Sequence, residues 1–396
     1  MALTNEASFG SLGLGAPGQG PSTSSIQPDD QDMAYRRTLV TIADTHVHPT
    51  GGTGKGVAKW LDAFAVADGR YLPQTVSDSD WSPPVATTLP DGRTIRFPQS
   101  WLLRLGAPTG GALRTREAIK DEPLLRKRYV DDGLFEHIGV FETFKNPGKG
   151  AGSHRPIGMA DVDLDVRLIR QQIRANLQQL CSGPGAEPED GNFYERVATN
   201  RWQRRQVVRE RPRIFTAFSG AGAAGGPQGL LIPYLYRDEA RRLGYPDPYI
   251  VGVVTGPRIY RGLTERARVN YYAEITELQW LTANGIEWPL IDGTVLDMPV
   301  PPYDRIILAD AEPINGVASE AELDSFYQQV AKTLYLAMTS NVLQRLEELT
   351  LDRAATDGPW MTMRALRASL EMGAVTEVAT HMRAHQRLAE LAAAVA

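Results

Sequence analysis

The segment from Arg213 to Val254 constrains this chain most. Arg213-Ile-Phe-Thr-Ala-Phe has the apolar run of a buried strand, Ser219 to Gly229 is a glycine-rich loop, Leu230 to Leu243 has helical character, and Tyr249-Ile-Val-Gly-Val-Val is a second buried strand. Two strands joined through a helix are the parallel pair of a βαβ unit, because a parallel partner can be reached only by a crossover. The crossover helix must cover one face of the sheet, so this segment commits the chain to an α/β layer architecture. In open sheets of that kind ligands bind beyond the carboxyl ends of the strands.

The flanking segments repeat the alternation. Thr38-Leu-Val-Thr-Ile-Ala predicts a strand, and Val57, Trp60, Leu61 and Phe64 predict a helix over Val57 to Val66, with a glycine-rich loop between the two. Val166, Leu168, Ile169, Ile173, Leu177 and Leu180 recur at spacings that predict an amphipathic helix over Asp161 to Leu180. Further on come a helix over Glu265 to Leu281, a proline-rich connection and the strand Arg305-Ile-Ile-Leu-Ala-Asp. Ser319, with Glu322 three residues later, has the form of a capping box opening a long helix through about Leu349. The expected fold is a mainly parallel sheet with helices on both faces. Residues 67–135 give only loops and a hairpin around Thr87-Thr-Leu-Pro-Asp-Gly-Arg-Thr-Ile, and Met361 to Ala396, rich in Ala, Arg and Glu, reads as helix. Residues 1–35 are rich in Gly, Ser, Pro and Gln, a composition that cannot offset its own ordering entropy. The expected organisation is therefore a flexible leader over 1–35, one α/β domain over 36–350 and a helical C-terminal tail over 351–396.

Composition excludes several function classes. A balance of 42 basic against 47 acidic residues argues against a nucleic-acid binder. The densest basic run, Arg201, Arg204, Arg205, Arg209, Arg211 and Arg213, reads as a solvated face. The single cysteine, Cys181, can form no internal disulfide, which fits a cytoplasmic location. No apolar run has the length of a membrane span, and no signal peptide is evident.

Three glycine loops carry the candidate chemistry. Pro49-Thr-Gly-Gly-Thr-Gly-Lys-Gly56 lies between a predicted strand and helix, where bare backbone amides approach a phosphate at a helix N-terminus. It is no Walker motif: Pro49 replaces the first Gly, and Gly56 replaces the hydroxyl that would hold magnesium. In Ser219-Gly-Ala-Gly-Ala-Ala-Gly-Gly226 every residue after the serine is Gly or Ala, so almost no side chain obstructs the backbone. Gly148-Lys-Gly-Ala-Gly-Ser-His-Arg-Pro-Ile-Gly158 adds Lys149, His154 and Arg155 within reach of a phosphate or of solvent.

In this order the segments resemble the tubulin/FtsZ superfamily, most closely its bacterial tubulin-like branch, over roughly Tyr35 to Ser340. The first glycine loop, the Gly-Ala-Gly of 150–152 and the following Arg155-Pro, Ser219 to Gly226 in place of the signature loop, Ile250-Val-Gly-Val-Val-Thr-Gly-Pro, Asn270-Tyr-Tyr-Ala, Tyr303-Asp-Arg-Ile-Ile-Leu and Leu334-Tyr-Leu all fall in family order. The resemblance implies a GTP/GDP-binding domain with a long core helix. Gly51, Gly52, Thr53, Gly54, Gly150, Gly152, Ser219, Gly220, Gly222, Gly225 and Gly226 are then expected at the nucleotide, and Asn270 and Asn315 at its sugar or base. It further implies self-association or a protein partner, with Asp352, backed by Glu347 or Glu348, as the acid that positions the attacking water for slow GTP hydrolysis in the next subunit. Two departures stand out. The signature loop lacks the family's Thr and Ser hydroxyls, which weakens the expectation of magnesium, and Arg261 stands where an acidic residue is usual. Only residues 353–396 follow Asp352, too few for the family's usual C-terminal domain.

Two rival readings remain. Asp44-Thr-His-Val-His48 matches the Asp-x-His-x-His site of metal-dependent amidohydrolases, with His46 and His48 on one side of a strand, although His137, His154, His381 and His385 are poorly placed to complete it. Alternatively, the hydroxyl-poor loop suits a tubulin-like scaffold that does not hydrolyse nucleotide.

Overall fold

A computed structural model of the chain describes residues 45–68, 72–79, 86–88, 94–96, 101–105, 118–119, 121–131, 151, 154–182, 212–260, 265–311, 319–339 and 359–363. The first strand, β1, is Thr45–Val47, and helix α1 is Gly51–Ala67. The strand read at Thr38 to Ala43 and the leader lie outside the described residues. Short strands follow at β2 (Val76–Asp78), β3 (Ala86–Thr88), β4 (Thr94–Arg96) and β5 (Leu102–Arg104). The β3–β4 pair is antiparallel, with Thr87 opposite Ile95, and is the hairpin expected there. The β2–β5 pair is parallel and was not legible in the sequence.

Helix α2, Pro123–Arg126, runs into a π turn at Lys127–Asp131. Helices α3, Arg155–Leu164, and α4, Val166–Ser182, replace the single helix expected over Asp161 to Leu180. The backbone leaves helical angles at Asp165 (φ −100°, ψ 14°), yet its amide still reaches Asp161 O (3.1 Å) and its carbonyl accepts from Ile169 (2.9 Å). The break is a bend in one hydrogen-bonded path.

The βαβ unit is β6 (Arg213–Ser219), α5 (Gly225–Leu243) and β7 (Tyr249–Thr255). Then come α6 (Glu265–Asn284), the antiparallel pair β8 (Ile286–Pro289) and β9 (Val295–Met298), β10 (Arg305–Ala309), α7 (Glu320–Thr339) and β11 (Trp360–Met363). The capping box forms as expected: Glu322 N–H donates to Ser319 Oγ (3.2 Å), and Ser319 N–H to Glu322 Oε2 (2.8 Å). The helical tail is corrected at its start, since Trp360–Met363 is a strand that pairs with β10 in parallel.

The main sheet has the order β1-β6-β7-β10-β11, all parallel. Strand alternation sends Ile214, Phe218, Ile250, Val254 and Ile306 to one face, where they meet Ile169 and Ile173 of α4, Leu231 and Leu235 of α5 and Leu278 of α6. Phe215, Ala217, Val251, Val253 and Ile307 face the other side, against Val57 and Leu61 of α1 and Val330 and Leu334 of α7. Each of the Val, Leu, Ile and Phe side chains contributes roughly 1.5–3 kcal/mol when fully buried. Burial on both faces explains why these strands read as continuous apolar runs, and it leaves their carboxyl ends as the place where loops gather.

Candidate functional site

At the carboxyl end of β1 the chain stays locked to β6: His48 N–H donates to Phe215 O (2.7 Å) and Thr50 N–H to Ala217 O (3.0 Å). The helix then starts at once. Gly51, Gly52, Thr53 and Gly54, read as a loop, form the first turn of α1. At the end of β6, residues 220–224 turn tightly and α5 opens at Gly225, five residues before the expected Leu230. The two helix starts touch. Gly51 has a left-handed φ of +66°, and a Cβ there would lie 2.9 Å from Gly225 Cα. Thr50 Oγ donates to Gly225 O (2.9 Å) and stitches the turns together.

This contact corrects the reason for several glycines. Gly51, Gly54, Gly220, Gly225 and Gly226 are small because another part of the chain presses on each: a Cβ at Gly54 would lie 2.8 Å from Pro49 C, one at Gly220 2.8 Å from the Tyr271 ring, and one at Gly226 2.5 Å from Glu274 Oε2. Gly52 faces open space, and a Cβ at Gly222 would make only ordinary contact with Ser219 (3.4 Å).

The amides sort in the same way. Gly220 N–H donates to Thr255 O (3.2 Å), Gly222 N–H to Ser219 O (3.1 Å) and Ala221 N–H to Ser219 Oγ (3.2 Å). The Ser219 hydroxyl therefore acts inside the loop, and Asn270 donates to Ala221 O (3.3 Å), holding the loop from α6. The amides of Ala223, Ala224, Gly225 and Gly226, and those of Gly51, Gly52 and Thr53, have no acceptor among the described residues. Amides left over at a helix start are the groups that favour an anion, and here two helix starts present them side by side. Helix α3 closes a third side: a Cβ at Gly158 would strike the carbonyl oxygen of Ala223.

Charged groups ring the turns. Arg155, the first residue of α3, donates to Glu274 and Glu277 of α6. Glu274 has no exposed side-chain surface, and burial pushes its carboxyl up to about 7 despite the neighbouring guanidinium. Arg266 donates to His154 Nε2 (3.2 Å), whose imidazole is held below its ordinary range by burial and by that arginine. Lys55 pairs with buried Asp78 (2.5 Å). Thr53 points inward: its hydroxyl is 2.5 Å from Tyr260 OH, which is 3.2 Å from Tyr327 OH on α7. Asp310, at the carboxyl end of β10, accepts from the Arg258 and Ala311 amides (3.2 and 3.0 Å), and burial raises its carboxyl above the usual range.

The structure thus brings together Gly51, Gly52, Thr53, Gly54, Ser219, Gly220, Gly222, Gly225, Gly226 and Asn270, with Thr53, Ser219 and Asn270 engaged in protein contacts. Gly150, Gly152, Asn315 and Asp352 lie outside the described residues, as do Lys149, Arg261, Glu347 and Glu348. Sequence reasoning missed Glu274 and Asp310. The spacing of Arg266, Asn270 and Glu274 at every fourth residue could have shown one helix face turned to the loop.

His46 and His48 are buried. His46 Nε2 bonds Thr75 Oγ (3.2 Å), and both nitrogens of His48 are taken, by Tyr236 OH (2.9 Å) and Ser77 Oγ (2.5 Å). Burial lowers His46 to about 3 and His48 well below its ordinary range. A metal bound by His48 would have to replace one of these two bonds. Asp44 lies outside the described residues. No helix among the described residues is long and apolar enough to cross a membrane.

Comparison with known proteins adds three findings. The family model described as "Tubulin like" matches residues 141–390. No curated protein matches the chain. Among solved structures the chain is similar to CetZ2 from Haloferax volcanii, in a GTPγS-bound protofilament (14% identity, TM-score 0.39, covering 77% of this chain and 62% of that one). It is also similar to CetZ from Methanosaeta thermophila strain DSM 6194 (11%, 0.39, 73% and 52%) and to TubZ of Clostridium botulinum phage c-st (10%, 0.33, 76% and 61%). The chain spans less than two thirds of the length of each.

Proposed function

Because this chain belongs to the tubulin-like family, we propose that it binds GTP or GDP, with the polyphosphate seated where α1 and α5 begin. The guanine comes from family membership; the polyphosphate comes from the geometry. One observation carries the reading: the amides of Gly51, Gly52 and Thr53, which have no acceptor among the described residues, lie beside those of Ala223 to Gly226, because Gly51 rests on Gly225. Two helix starts with that many donors lacking an acceptor among the described residues favour an anion partner, and a chain of phosphates can span both turns. Asn270, through Ala221 O, sets the loop's shape. Asn315, Gly150 and Gly152 remain part of the proposal as nucleotide contacts.

Hydrolysis belongs to the same proposal at a finer level: slow GTP turnover, completed by self-association in the cytoplasm, with Asp352 positioning water. One observation favours a second reading, a tubulin-like scaffold that binds without turnover. The only hydroxyl on the signature loop, that of Ser219, already accepts from Ala221 N–H, so the loop has no uncommitted hydroxyl to offer magnesium.

Gly222 is the position at which to test the site, since a Cβ there meets only ordinary contacts, with Ser219 at 3.4 Å, and thermal melting checks that the fold is kept. In a GTP titration of wild type and Gly222→Trp, the variant should melt at the wild-type temperature and bind at least tenfold more weakly, a loss of about 1.4 kcal/mol. Unchanged affinity would remove the phosphates from this loop. Release of phosphate by the bound wild type then separates a GTPase from a scaffold.

A further inference from the structure

The Arg155 pair with Glu274 and Glu277 does more than tie α3 to α6. We infer that Arg155 is the cation of the anion site, fixed by Glu274 and handed from Glu277 to the phosphate when the ligand arrives. The inference rests on the proposed polyphosphate site and names a charged side chain that completes it.

Position comes first. Arg155 Nη1 lies 2.9 Å from where a Cβ of Gly226 would be, so the guanidinium sits directly on the first turn of α5, beside two of the orphan amides. An anion held by the amides of Gly225 and Gly226 comes within reach of Arg155 without movement of the backbone. Any side chain at 226 would push the arginine away, which gives that glycine its reason.

The two carboxylates are not equivalent. Glu274 has no exposed side-chain surface, its Oε1 has no hydrogen-bond partner among the described residues, and it holds Nη1. Glu277 is 47% exposed and holds Nη2 from the solvent side. An exposed carboxylate in a monodentate pair is readily solvated and gains little from the contact. A buried one left alone would carry an uncompensated charge. Phosphate therefore displaces Glu277 and leaves Glu274 in place. A guanidinium suits the exchange because its fork can keep one acid on Nη1 while Nη2 turns to a phosphate oxygen. Burial of Glu274 also limits the repulsion it exerts, since its carboxyl can take up a proton near neutral pH when anionic charge arrives.

The test is calorimetric titration with GTP and with inorganic triphosphate of four full-length proteins: wild type, Glu277→Gln, Arg155→Gln and the charge-neutral pair Arg155→Gln with Glu274→Gln. The double variant keeps the fold testable, since it buries no lone charge, and thermal melting checks it. Glu277→Gln should bind both ligands two- to tenfold more tightly than wild type, because the competing acid is gone, and the double variant should bind both at least tenfold more weakly. A merely structural arginine would leave Glu277→Gln no tighter than wild type. That result, or wild-type affinity in the double variant, overturns the inference and leaves the nucleotide site standing. Failure of the wild type to bind either ligand overturns both.

Discussion

At the scale of single residues the site is governed by groups kept from their ordinary protonation. Glu274 is raised to about 7, so its neutral form is favoured in the folded state. It contributes stability that is present below the unfolded value near 4.5 and is lost as pH rises through about 7. His46 and His48 act with the opposite sign. Their folded values are depressed, His46 to about 3, so their contribution is present above 6.5 and is lost as pH falls below it. Between pH 7 and 4.5 the two effects oppose one another. Glu274→Gln removes the acid-side gain, so its melting temperature should fall more steeply than that of wild type across this window. Parallel curves for the two proteins would show that Glu274 keeps an ordinary carboxyl. The hydroxyl of Thr53, tied through Tyr260 to Tyr327, belongs to the same scale. That hydroxyl links α1 to α7, which leaves the Thr53 amide as the group proposed at the phosphates.

At the scale of elements, helix starts set both stability and the site. The Ser319 cap stands on the surface and closes a box with Glu322, so Ser319→Ala should cost about 1 kcal/mol in chemical denaturation. Gly158→Ala should cost more, roughly 1–3 kcal/mol, because its Cβ would strike the Ala223 carbonyl and push α3 off the signature loop. Equal losses in the two variants would show that α3 is not seated there. The capping box was legible because its chemistry lies within four residues of sequence. The start of α5 was not: Gly225, Gly226 and Pro227 read as loop, yet they form a first turn packed against Thr50, Gly51 and Glu274. The β8–β9 pair and β11 are four residues each, too short for alternation to stand out. In β11 it is pairing with β10 that makes Trp360-Met-Thr-Met a strand rather than the opening of a helix.

At the scale of the whole molecule, five parallel strands put their carboxyl ends on one side, and the order β1-β6-β7 sets the two glycine turns next to each other although about 170 residues separate them. That adjacency could be expected from the alternation of strands and helices, and so could the gathering of glycines. The ion pairs around it could not, since Arg155 and Glu274 are 119 positions apart and meet only because α3 and α6 flank the same turn. The proposed polyphosphate site consists of the amides at the starts of α1 and α5, which have no acceptor among the described residues. The most direct measurement is an experimental structure with GTP or a slowly hydrolysed analogue. Its phosphate oxygens should lie within about 3.2 Å of the amides of Ala223 to Gly226, with Gly52 on the opposite wall. A nucleotide bound elsewhere, with those amides still lacking acceptors, would contradict the claim.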